Sequence, residues 1–106
     1  MNEYLLVIST APSKEEGNAI ALKIVEERLA ACVTVTSAVQ SFYWWEDRIA
    51  NDQEFILLIK TKTTLFPKLE DRIKILHSYQ VPEIIALPIH AGSKEYLDWI
   101  SQNTRP

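Results

Sequence analysis

The feature that most constrains this chain is a fourteen-residue stretch, Cys32 to Trp45, in which side chains alternate with a period of two. Val33, Val35, Val39, Ser41 and Tyr43 fall on one parity, with Thr34, Thr36, Ala38, Phe42 and Trp44 on the other. β-Branched and aromatic residues dominate, as strands prefer. At ~3.3 Å per residue a strand of this length reaches roughly 46 Å, whereas a domain of this size has a radius of gyration near ~13 Å. A straight strand must therefore overhang the globule. Two outcomes are open. Either Ser37-Ala38 bends the strand and Phe42, Tyr43, Trp44 and Trp45 fold back on their own core, or the aromatic end projects and another subunit buries it. Exposed strand edges and apolar patches are normally covered, so an obligate oligomer is expected.

The rest of the chain supplies partners for that strand. Tyr4 to Thr10 is a short apolar run, stopped by Pro12, that reads as a strand buried on both faces. Ser13 and Glu16 have capping-box spacing, and Ile20, Ala21, Ile24, Val25 and Leu29 recur at helical spacing, so a helix is predicted over 13–29. Glu46-Asp47-Arg48 and Asn51-Asp52 carry turn chemistry, and Glu54 to Lys62 returns as a hairpin partner. Thr64 to Leu76 is a second helix with Pro67 in its first turn. Glu83 to Leu87 is a last strand, and Ser93 can cap a short C-terminal helix. The order β-α-β-β-α-β plus a helix predicts one α+β domain over 1–106, a ferredoxin-like sandwich with an extended β-hairpin. That fold by itself carries no function.

Composition narrows the choices. With 47% hydrophobic and 24% charged residues the chain is an ordinary soluble globule. A pI near 5.3 and a net charge of -3 argue against a nucleic-acid partner. An RNA-binding sheet would display aromatics on its central strand, where this chain has Phe55-Ile56-Leu57-Leu58-Ile59. No apolar run approaches the ~20 residues that span a bilayer, so no membrane partner is expected, and Met1-Asn2-Glu3-Tyr4 does not open like a signal peptide. A lone cysteine excludes an intrachain disulfide and fits a reducing, cytoplasmic compartment. Residues 1–54 carry four Lys/Arg against nine Asp/Glu, and residues 55–106 seven against five, a split that lets copies attract one another. Two glycines leave no Gly-rich phosphate loop, the 9–13 segment lacks the Arg of an anion-binding loop, and no nucleophile motif stands out. No enzymatic reaction is expected.

Some residues remain with chemistry to offer. His77 and Cys32 are the softest donors, and imidazole and thiolate suit copper and zinc. Each also has a structural reading: His77 as a cation at a helix C-terminus, Cys32 as a small buried hydrophobe. Glu83 can supply an oxygen to a metal or pair with Lys60. Tyr43, Trp44 and Trp45 can anchor an interface or stack on a flat ligand in a cleft between subunits, and Lys60 can hold an anion there.

Several stretches, taken together, resemble the CutA family of divalent-ion tolerance proteins. They are Leu29-Ala30-Ala31-Cys32-Val33-Thr34, Ser41-Phe42-Tyr43-Trp44-Trp45-Glu46, Lys60-Thr61 and His77-Ser78-Tyr79-Gln80-Val81-Pro82-Glu83-Ile84, with Thr10-Ala11-Pro12 and Tyr96-Leu97-Asp98-Trp99 near the ends. The resemblance implies a ferredoxin-like subunit in a tight homotrimer whose hairpins reach across to neighbours, similar to the trimer of PII signalling proteins. It implies a role in tolerance to copper or another divalent cation, bound by His77, Cys32 and Glu83 as candidate donors. Tyr43, Trp44, Trp45, Lys60 and Tyr79 then fall at the subunit interface or cleft. A copper set proposed for some members has Cys and a pair of His where this chain has Ser9, Leu76 and His77. A PII-like trimer that senses a small ligand is the alternative.

Overall fold

The computed structural model describes residues 3–105. β1 (Tyr4–Ala11), β2 (Cys32–Trp45), β3 (Arg48–Lys62) and β4 (Ile84–Pro88) form one sheet in the order β2-β3-β1-β4, with every neighbouring pair antiparallel. α1 (Lys14–Glu26) and α2 (Phe66–Leu76) pack on one face, and α3 (Lys94–Gln102) follows β4. The arrangement is the expected ferredoxin-like α+β sandwich.

The core lies between the two helices and the odd-numbered residues of the central strands. Val7, Leu57 and Ile59 are fully buried there, against Ile24, Leu69 and Ile73 from the helices. Gly17 lets α1 approach closely: a Cβ at this position would lie 3.5 Å from both Ala11 and Val35.

The ends of α1 show where local signals are redirected. Ser13 caps the helix, its Oγ accepting from Glu16 N–H at 3.1 Å. The Glu16 carboxylate does not close the capping box. It turns to Ser78 instead, accepting from its N–H and its Oγ, both at 2.9 Å. At the other end the helix stops at Glu26, three residues short of the periodicity, because Arg28 turns left-handed (φ 64). Leu29 N–H then donates to Ile24 O and Arg28 N–H to Val25 O, the paired bonds of a Schellman stop with Arg in the usual glycine position.

The long hairpin is bent and still projects. The register between β2 and β3 slips between Val35 and Ala38, which is a bulge where the sequence suggested a bend. Thr36 accommodates it: its Oγ1 accepts from Ile56 N–H at 3.0 Å, a ladder donor the bulge would otherwise leave without a partner. Beyond the bulge the aromatics do not fold back on the core. Phe42, Trp44 and Trp45 are 68%, 73% and 61% exposed, and the longest dimension of the molecule is 44 Å against 25 and 24 Å for the others. Asn51 and Asp52 are strand, not turn. They lie opposite Phe42 and Ser41, and their side chains bond Gln40 and Tyr43 across the ladder. The turn is Glu46-Asp47 alone, with both residues at positive φ (50 and 61), the two-residue geometry that matches strand twist.

α2 begins two residues later than predicted, since Thr63–Leu65 form a 3-10 turn ahead of Phe66, with Pro67 at the helix start. β4 begins at Ile84, so Glu83 lies in the preceding loop. Ser93 caps α3 as expected, accepting from Tyr96 N–H at 3.2 Å.

Candidate functional site

The C-terminus of α2 delivers His77 to the end of β1. The imidazole is buried, and both ring nitrogens are used: Nε2 lies 2.6 Å from Thr10 O, and Nδ1 lies 3.0 Å from Tyr79 N. A carbonyl only accepts and a backbone N–H only donates, so the proton sits on Nε2 and Nδ1 accepts. Nδ1 is also 3.4 Å from Glu16 Oε2, the carboxylate that holds Ser78. His77 therefore fastens three elements: the end of α2, the end of β1 and the loop toward β4.

Tyr79 extends the cluster. Its ring lies 4.7 Å from that of His77, and its hydroxyl donates to Glu54 Oε2 at 3.3 Å. Thr10 Oγ1 donates to the same oxygen at 3.2 Å. Glu54 is only 9% exposed, so two hydroxyl donors hold a nearly buried carboxylate. Burial first, and then the Glu54 charge, push the Tyr79 phenol up to about 12, which keeps it a neutral donor. Glu83 is held above the usual carboxylate range by burial and by the nearby Glu54 charge. Tyr43 and Asp52, bonded to each other on the hairpin, are close enough for their charges to be felt by Tyr79. Its bond to Asp52 raises the Tyr43 phenol too.

The candidate donors are placed separately. Cys32 opens β2 opposite Lys60, while Thr10, against which His77 docks, is opposite Ile56. Four residues of strand separate the two sites, ~13 Å. Cys32 is beside the Tyr96 hydroxyl of α3, whose phenol is raised by burial and then by this thiol. Among the described residues no three His, Cys, Asp or Glu side chains converge as a metal cage. His77, Cys32 and Glu83 of one chain thus do not form a joint site. Nor does Glu83 pair with Lys60. The Lys60 ammonium donates to Thr34 Oγ1 at 3.1 Å and Leu58 O at 3.4 Å, since Lys60 aligns with Leu6 and Leu87, several residues up the sheet from Glu83.

Trp44 and Trp45 lie near the hairpin tip, flanking with Ile49 the exposed apolar end of the molecule. Sequence reading missed three members of the cluster: Thr10, Glu16 and Glu54. Glu16 carried a signal, but it was the local one of a helix cap. Glu54 is a lone carboxylate beside the apolar run 55–59, and that placement is the trace it leaves in the sequence.

Comparison with known proteins fits this geometry. The family model for CutA1 divalent ion tolerance protein matches residues 5–103. The divalent-cation tolerance protein CutA of Thermus thermophilus is 52% identical over 98% of this chain and 99% of its own length. A chloroplastic CutA 1 of Oryza sativa is 44% identical over 95% of this chain, which spans 57% of that protein. The crystal structure of CutA1 from a psychrotrophic Shewanella superposes with a TM-score of 0.96 at 40% identity, covering 99% of this chain and 98% of that one. A fold, a hairpin and a near-complete sequence match all agree, and the chain belongs to the CutA1 family of divalent ion tolerance proteins.

Proposed function

We propose that this chain acts as a cytoplasmic homotrimer that binds copper or another divalent cation, weakly or between subunits, and in that way contributes to tolerance of the ion. The observation that carries the cation reading is the pair His77 Nδ1 and Glu16 Oε2, 3.4 Å apart. Imidazole with carboxylate is a donor set that copper and zinc accept. Both groups already hold the backbone of Ser78 and Tyr79, so a cation takes them only by displacing those bonds. Two donors fall short of the four usual for a tight zinc-type site. Weak binding follows, or completion by donors such as Cys32 or Glu83 from a neighbouring copy. The trimeric count rests on the family resemblance, and the exposed Trp44, Trp45 and Ile49 support assembly. The lone Cys32 supports a reducing compartment.

The test is a copper competition titration on the oligomer, its mass checked by sedimentation, with His77→Gln and Glu16→Gln beside it. Binding that weakens in both variants is expected. Binding that is absent, or equal in all three, overturns the cation reading. A second reading is favoured by one observation, the adjacent Tyr43–Asp52 and Tyr79–Glu54 hydroxyl–carboxylate pairs: a PII-like trimer holding a small ligand in a cleft. A ligand that protects against heat by mass action, in a manner abolished by Tyr79→Phe, would select it.

A further inference from the structure

Three separate segments of the chain meet around an open groove of about 350 Å³ on the helical side of the molecule. α2 forms one wall, because Lys68, Asp71, Arg72 and Ile75 stand at i, i+3, i+4 and i+7 and so share a face. Buried Leu29, which follows the left-handed Arg28 at the end of α1, lies at the base. The C-terminal segment supplies the third side. Arg105 N–H donates to Arg28 O at 2.9 Å, and this bond brings the Arg105 side chain to the groove. None of the lining residues belongs to the His77 cluster or to the hairpin.

The charges in the groove do not balance. Arg72 donates to the Glu27 carboxylate through Nε and Nη2, each at 2.8 Å. That bonding holds Glu27 below the usual carboxylate range, so the pair stays ionised and its charges cancel. Among the described residues Nη1 of Arg72 has no partner, and neither have the side chains of Lys68, Asp71 and Arg105. Two unpaired cations therefore face one unpaired carboxylate, in a chain whose net charge is -3. Ile75, 72% exposed, puts an apolar side chain among them.

We infer that this groove binds a small amphipathic carboxylate, its anionic group taken by Lys68 and Arg105 and its apolar body laid on Ile75 and Leu29. A single negative charge matches the excess of one cation, and Asp71 opposes a second. A guanidinium fork fits the planar carboxylate with two parallel bonds. Covering Ile75 removes apolar surface from water, so the body adds affinity that a bare anion lacks. The site lies on a different surface from the cation reading and stands or falls without it.

The test is a titration of the full chain with octanoate, followed by the methyl resonances of Ile75 and Leu29. Acetate, which lacks the apolar body, and octylammonium, which reverses the charge, are run beside it. Saturable shifts with octanoate are expected, with acetate and octylammonium weaker by at least about tenfold. Lys68→Gln and Arg105→Gln should each weaken octanoate about threefold, and Asp71→Asn should tighten it about twofold. Added salt should shrink these three differences. The three side chains are exposed and make no bond within the described residues, so a loss of folding does not imitate the result. Absence of binding overturns the inference, as does octylammonium bound as well as octanoate. Binding indifferent to all three substitutions, or shifts centred on Trp44 and Trp45 or on Tyr79, overturns it too.

Discussion

The two halves of the β2–β3 hairpin are built from the same alternating pattern and reach opposite ends. Near the base, Leu57 and Ile59 are fully buried because α1 and α2 of the same chain cover them, with Val33 and Val35 packed alongside. Past the bulge at Val35–Ala38 no helix among the described residues covers the strands, and Phe42, Trp44, Trp45 and Ile49 stand exposed. Alternation fixes which side chains share a face. It does not say what will cover that face, and the covering element decides whether a strand residue stabilises the subunit or the assembly.

Substitutions can break or sharpen this contrast. The largest effect is expected for Trp45→Ala, about 3–5 kcal/mol if a neighbour buries the ring, read as a melting temperature that becomes more dependent on protein concentration. Unchanged melting and unchanged mass would show that the tip is not part of an interface. Leu57→Ala should cost about 2–5 kcal/mol, because its side chain is fully enclosed within one chain. Urea unfolding of variants held as monomers should show that loss in full, and a loss seen in the oligomer alone would contradict the division.

A smaller effect is expected at the turn. Asp47 is left-handed at φ 61, a conformation that costs a non-glycine residue about 1 kcal/mol or more. Asp47→Gly should therefore raise hairpin stability by up to about 1 kcal/mol, partly offset by the freedom glycine gains in the unfolded chain, measurable as slower hydrogen exchange at Trp45 and Arg48. The smallest is Glu83→Gln. The Glu83 carboxyl is raised by burial and by Glu54, so its proton is held more tightly in the folded state. Its favourable contribution is present in acid and lost as pH rises through the raised value. Glu83→Gln should thus melt slightly higher than wild type at neutral pH and no higher in acid. A variant less stable at pH 7 would mean that a cation already neutralises this carboxylate.

Much of the fold was legible because its signals are local and periodic. The order of strands and helices, the Ser13 and Ser93 caps and the turn at Glu46-Asp47 all follow from spacing within a few residues. Errors arose where two local signals competed. Asn51-Asp52 has turn composition, yet side-chain bonds from Gln40 and Tyr43 across the ladder keep it in β3. The Leu29 periodicity extends α1 on paper, while the left-handed Arg28 ends it.

The candidate site was legible only in part. His77 and Tyr79 stand out as residues with chemistry to offer, but nothing in their neighbourhood announces Thr10, Glu16 or Glu54, which lie 67, 61 and 23 residues before His77 in the chain. Sequence by itself determined the elements, their alternation and the family, since these depend on near neighbours and on a match along nearly the whole chain. Tertiary structure alone decided that Glu16 serves Ser78 rather than its own helix, and that His77 spends both nitrogens on backbone partners. It also decided that Cys32 stands well apart from His77. The physical reason is that hydrogen bonds and charges act over a few ångströms of space, and only folding sets which distant residues come within that range.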